Sequence, residues 1–176
     1  MADAPESAAS AEPVAPRSRD ALLDRWEAAW CGRDVSAFAP LCDPAVQYED
    51  PVTHAPLIGV DELAAHAEVL WQGFPDVRVE RAGERLVDPG GRFVAAPCKV
   101  AGTHRGALEG LPVTRRFVVV HGVVWCELRA GRLLRVRAFF DRYDAAVQLG
   151  VLPASGTLGE KALLALRGFG VRARRS

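Results

Sequence analysis

Residues 115–150 read RRFVVVHGVVWCELRAGRLLRVRAFFDRYDAAVQLG. Two long runs rich in Val, Phe, Leu and Arg are joined by RAGR, a four-residue piece of turn chemistry. Consecutive strands with so short a link pair antiparallel. The second run stops at Asp141, and RYDAAVQLG then reads as a helix. A carboxylate thus stands directly after Phe139 and Phe140, where a strand gives way to a helix.

The same period of two extends upstream. Runs around 77–87 and 92–104 read as further strands, set off by DPGG and EGLP. Before them the spacing is helical. Leu22, Leu23, Trp26, Ala29 and Trp30 form one apolar stripe of a helix ending near Gly32. Asp34 can cap a short second helix through Phe38 and Leu41. AVQYEDP predicts a short strand stopped by Pro51. VDELAAHAEVLWQGF returns to helical spacing, with Leu63, Ala67, Leu70 and Trp71 on one face.

The order helix, helix, strand, helix, then four long strands predicts an α+β domain with its helices on one face of the sheet. A curved sheet and its helices can enclose an apolar pocket. Residues 1–18 are rich in Ala, Pro, Ser and Glu and have almost nothing to bury, so a disordered tail is expected there. The domain then spans 19–153. Residues 154–176 form a C-terminal extension, a short helix followed by an arginine-rich tail that reads as solvated or as a partner contact.

Twenty-two basic residues balance 22 acidic ones, which gives no general attraction to nucleic acid or to an anionic membrane. No apolar run approaches the roughly 20 residues of a membrane span, and no apolar signal segment opens the chain. A cytoplasmic protein with reduced thiols is expected. Cys31, Cys42, Cys98 and Cys126 make no CxxC pair, and the four histidines make no HxxxH or HxH pattern, so no metal site is expected. There is no GxSxG elbow, P-loop or GxGxxG.

Four pieces follow one another in a distinctive order: WEAAWCGRDVSAFAPLCDPAVQYEDPV, LIGVDELAAHAEVLWQGFPDVRVE, GTHRGALEGLPVT and RAGRLLRVRAFFDRYDAAVQLGVLP. Over residues 20–153 the chain resembles the SnoaL-like polyketide cyclases of the nuclear transport factor two-like, or ketosteroid isomerase-like, superfamily. The resemblance implies a cone-shaped α+β barrel: three N-terminal helices packed on a strongly curved, mostly antiparallel sheet around a deep pocket. It also implies a homodimer, no metal and no organic cofactor. The activity implied is cyclisation or isomerisation of an apolar polyketide-like or terpenoid-like molecule in secondary metabolism, by general acid–base catalysis. Since the fold hosts many chemistries, an epoxide hydrolase or epoxide-opening cyclase of the limonene type is a second reading, with Asp50, Arg137 and Asp141 as its cast. A non-catalytic binding or dimerisation module is the third.

By this resemblance Asp141 is the general acid and base, and apolar neighbours such as Phe139 and Phe140 would raise its pKa toward a useful range. The competing role is to cap the helix that follows it, and Asp144 competes for that cap. His121 is its natural helper. If Leu128 pairs with Arg132, His121 lies opposite Phe139, diagonal to Asp141; a two-residue turn puts it opposite Phe140 instead. Asp50 is the rival base, because VQYEDP resembles the ketosteroid isomerase segment whose aspartate precedes proline. The isomerase's oxyanion tyrosine would align with Trp26, and its second aspartate near Val123, which cannot donate. Trp26, Tyr48, His66, His104, Trp125 and Phe140 are the candidate substrate contacts. His104 belongs to the GTH motif, His66 lies near Leu63 and Leu70, and the aromatic rings offer stacking surface.

Overall fold

The computed structural model describes residues 16–108 and 110–166. The arginine-rich tail and most of the proposed N-terminal tail lie outside them. Helix α1 (Pro16–Gly32) is followed by a 3₁₀ turn (Val35–Ala37), strand β1 (Cys42–Glu49), a two-residue strand β2 (Leu57–Ile58) and helix α2 (Val60–Gly73). Then come β3 (Arg78–Arg81), β4 (Leu86–Val87), β5 (Phe93–Thr103), β6 (Phe117–Arg129), β7 (Arg132–Phe140), α3 (Arg142–Gln148) and α4 (Leu158–Leu166).

The expected α+β class holds, with helices on a curved sheet that does not close. The strand order is β2-β1-β7-β6-β5-β3, and β4 also pairs with β5. All pairings are antiparallel except β1 with β7, which run parallel. The run at 77–87 is two short strands rather than one, because β3 and β4 each pair with β5 on either side of the Ala82–Arg85 interruption. Strand β2 carries too few residues to show a period.

The β6–β7 hairpin departs from both registers considered above. Ala130 (φ 48°) and Gly131 (φ 75°) make a two-residue turn between Arg129 and Arg132, as positive φ at both central positions favours. A bulge between Glu127 and Leu128 then shifts the pairing by one, so that Val123 faces Phe139 and Gly122 faces Phe140. Gly122 is required there: a Cβ would lie 2.4 Å from the Phe139 carbonyl oxygen.

The core gathers where α1 and α2 lie against the sheet. Trp26, Trp30, Phe38, Tyr48 and Trp71 touch ring to ring, with centroids 5.3–6.2 Å apart, the spacing at which aromatic pairs attract beyond their burial. The Trp71 indole also donates to the Trp30 carbonyl at 3.0 Å. Arg85, its side chain 2% exposed, donates to Asp20, Asp24 and Glu27 and so ties the sheet to α1. Cys42, Cys98 and Cys126 are buried, and burial pushes all three thiols up, Cys42 and Cys126 to about 12. They therefore stay protonated and pack as small apolar groups; Cys31 is exposed.

Candidate active site

A cavity of about 460 Å³ opens between the helices and the inner face of the sheet, a size that suits a drug-sized molecule. Its wall is largely apolar. Val118, Val120, Gly122 and Val124 line it from β6, Ala138 and Phe140 from β7, and Leu149 from beyond α3. Leu108 and Leu111 reach it from the 104–116 loop. This loop sits directly on the end of α2, where Arg105 and Gly106 both donate to the Gly73 carbonyl. Gly106 permits the approach, because a Cβ there would fall 2.0 Å from the Gln72 carbonyl oxygen.

Three polar side chains converge on this wall. Asp50 stands at the end of β1, two residues after Tyr48, so period-two alternation turns both the same way. His66 comes from the middle of α2. The Asp50 Oδ2 to His66 Nε2 distance is 2.7 Å, and the Tyr48 hydroxyl donates to the same Oδ2 at 3.1 Å. The backbone amides of Val52 and Thr53 donate to Oδ1 at 2.8 and 3.0 Å. Burial pushes the Asp50 carboxyl up, but the His66 hydrogen bond and charge and the two amides outweigh it. The net position is below the ordinary carboxylate value. Burial, followed by the Asp50 charge, drives the Tyr48 phenol well above its ordinary value, so it remains an O–H donor.

The chemistry of this trio follows from counting lone pairs. A carboxylate has about four acceptor sites, and Asp50 has four donors. An ionised carboxylate cannot donate, so His66 Nε2 bears a hydrogen toward Asp50, and in the neutral ring the lone pair is then the one on Nδ1. The geometry lets Asp50 orient the His66 ring and leaves Nδ1 as the nitrogen that can accept a proton. The sequence pointed to Asp50, His66 and Tyr48 separately; their union depends on β1 meeting the middle of α2, which no motif encodes.

The other expected residues divide. Trp26 and Phe140 line the cavity. His121 does not: the neighbours that line the cavity alternate with it, so its side chain goes to the outer face, where it is exposed. Val123 shares that face. Trp125 is there too, stacked on Phe93 at 5.6 Å beside a shallow recess with Glu49 and Arg137. His104 is fully buried but outside the lining: its Nδ1 accepts from the Thr114 amide at 3.2 Å, which fixes the base of the 104–116 loop.

Asp141 is exposed at the N-terminus of α3, where its Oδ1 accepts from the Tyr143 and Asp144 amides at 2.8 and 3.1 Å. It is the helix cap, and it does not line the cavity. The rest of its motif is equally structural. Beyond the end of β7, the Gln148 amide pairs with the Val119 N–H and carbonyl as a strand residue would, at 2.8 and 2.7 Å. Asp144 holds that amide in place at 2.7 Å. Together these seat α3 against the cavity, which Ala145 and Ala146 line. Arg137 points outward and pairs with Glu49 at 2.5 Å, so no Asp–Arg–Asp group assembles from Asp50, Arg137 and Asp141.

An open curved sheet with helices over a largely apolar cavity is the ketosteroid isomerase-like fold. The chain belongs to the SnoaL-like polyketide cyclase family, whose sequence profile matches residues 20–149. No curated protein matches it. Among solved structures it is similar to a candidate SnoaL-like polyketide cyclase from Jannaschia sp. CCS1, with a TM-score of 0.69 and 18% identity over 86% of this chain and 100% of that one. It is also similar to AclR, a candidate hydroxylase from Streptomyces galilaeus (0.68, 22%, 88% and 94%). A third is IdmH, a candidate polyketide cyclase from Streptomyces antibioticus (0.65, 20%, 76% and 99%). These likenesses establish the fold. Among the described residues, no helix is long and apolar enough to cross a membrane.

Proposed function

We propose that the protein is a cofactor-independent cyclase or isomerase of an apolar polyketide-like or terpenoid-like molecule, with His66 as its acid–base group. The observation that carries this reading is the 2.7 Å Asp50–His66 pair in the wall of an otherwise apolar cavity. Neutral His66 takes a proton from a carbon next to a carbonyl through Nδ1. The imidazolium that forms is stabilised by Asp50, whose charge acts strongly in apolar surroundings. The carbanion closes onto a second carbonyl, and the same proton returns to the new alkoxide. Mass is conserved, and no oxidant or cofactor enters. Positioned acid–base groups contribute about 10²–10⁴-fold. Tyr48 holds the carboxylate rather than the substrate. The outer sheet face, with exposed Phe117, Val123 and Phe139, supports a homodimer through that surface.

The test is incubation of the purified protein with a panel of β-keto polyketide esters, followed by mass spectrometry with chromatography. An isomeric product of unchanged mass, absent with His66→Gln, is the expected result. Turnover that is unaffected by His66→Gln would overturn the assignment.

A further inference from the structure

Among the residues lining the cavity, Arg142 is out of place. The wall is otherwise apolar apart from Tyr48, Asp50 and His66, and those three are bonded to one another. Arg142, the first residue of α3, lines the cavity and is exposed at its mouth. It forms no ion pair, hydrogen bond or ring contact among the described residues. The nearby carboxylates have other partners: Asp141 Oδ1 accepts two α3 amides, and Asp144 Oδ2 accepts from Gln148. Local structure gives no reason for a cation here, since positive charge in a helix's first turn opposes the backbone dipole.

The charges of the cavity are therefore separated. Asp50 supplies negative charge beside His66, and Arg142 supplies an unmatched positive one. Parallel pairing of Glu49 with Arg137 sets Asp50 level with about Ala138, four residues before Arg142. At strand rise those four residues reach about 13 Å, a distance that a fused-ring or medium-chain molecule spans.

Resting on the reading of this cavity as a small-molecule site, we infer that its ligand is an apolar carboxylic acid whose carboxylate pairs with Arg142 at the mouth. The guanidinium is a planar fork that matches a carboxylate. Asp50 repels the same group, so the ligand enters with its acid outward and its carbonyl toward His66. Arg142 thus sets both the class of ligand and its direction.

The experiment is calorimetric titration of the full chain at neutral pH with two matched pairs, naphthoate against methyl naphthoate and dodecanoate against methyl dodecanoate. The pairs distinguish a fused-ring skeleton from a linear one. For whichever skeleton binds, the acid should bind about three- to fivefold tighter than its ester, as an exposed ion pair allows. The preference should shrink in high salt. In Arg142→Gln it should reverse, because the carboxylate then meets an apolar wall and Asp50 uncompensated, while the ester binds as before. Arg142→Lys should restore most of it. Equal binding of acid and ester to the wild type, or a preference that survives Arg142→Gln, overturns the inference and leaves the cavity reading intact. Failure of all four probes to bind overturns both.

Discussion

Replacing Asp50 with asparagine changes one oxygen into an amide nitrogen and reverses the logic of the site. The asparagine Oδ1 must stay on the Val52 and Thr53 amides, because an NH₂ group there would set donor against donor. The new Nδ2 then faces His66 and Tyr48. It can only donate, so His66 Nε2 must become the acceptor and the ring proton must move to Nδ1, the nitrogen that takes the substrate's proton in the proposed reaction. The base is lost although every atom stays nearly in place. Turnover should fall about 10²–10⁴-fold, as when a base is held in the wrong tautomer. Stability should fall by about 2 kcal/mol, since charge-assisted hydrogen bonds become neutral ones. For a chain of this length that lowers Tm by about 4–8 °C. The direct assay needs no substrate: long-range ¹H–¹⁵N spectra identify which ring nitrogen carries the proton. Wild type should show His66 protonated at Nε2, and Asp50→Asn should show it at Nδ1. An unchanged tautomer would refute the orienting role of Asp50.

Three further outcomes are expected. Asp141→Ala should cost about 1 kcal/mol through the lost cap, while Asp141→Asn should be nearly neutral because asparagine caps equally well; thermal unfolding of both variants checks this. Asp50 has a lowered carboxyl in the fold, so its stabilisation is present above the unfolded value near 4 and is lost as pH falls through the folded one. Acid unfolding below about pH 4 should accordingly be shallower in Asp50→Asn than in wild type. Gly106→Ala forces the loop off the Gln72 carbonyl, so it should destabilise by about 1–3 kcal/mol and weaken ligand binding by displacing Leu108 and Leu111, as denaturant melts and titration would show.

The architecture was legible because its signals are local. The α1 stripe from Leu22 to Trp30, the period-two runs and the RAGR turn each report on a few adjacent residues, and the elements appeared where those signals lay. What local pattern could not reach was long-range pairing. The bulge between Glu127 and Leu128 moved the β6–β7 register by one. The alternation of β6 put Val120 and Gly122 on the cavity side and His121 on the outer face. The aspartate after Phe139 and Phe140 had two physical readings in the sequence, and the two α3 amides that its Oδ1 accepts, from Tyr143 and Asp144, fit the structural one. Asp50 and His66 were each visible, 16 residues apart, but only the packing of α2 over the end of β1 makes them a pair. Arg142 carried no sequence signal at all beyond its place in the first turn of a helix.

The central claim is that His66, oriented by Asp50, moves the proton, and that Asp141 does not. The measurement that tests it most directly is exchange of the acidic C–H of a bound aromatic β-ketoester with D₂O. It would be followed by ¹H NMR in wild type, His66→Gln and Asp141→Asn. The account predicts that His66→Gln slows exchange by about 100-fold or more while Asp141→Asn leaves it near the wild-type rate. Exchange that persists in His66→Gln and collapses in Asp141→Asn, with the fold intact, would contradict it.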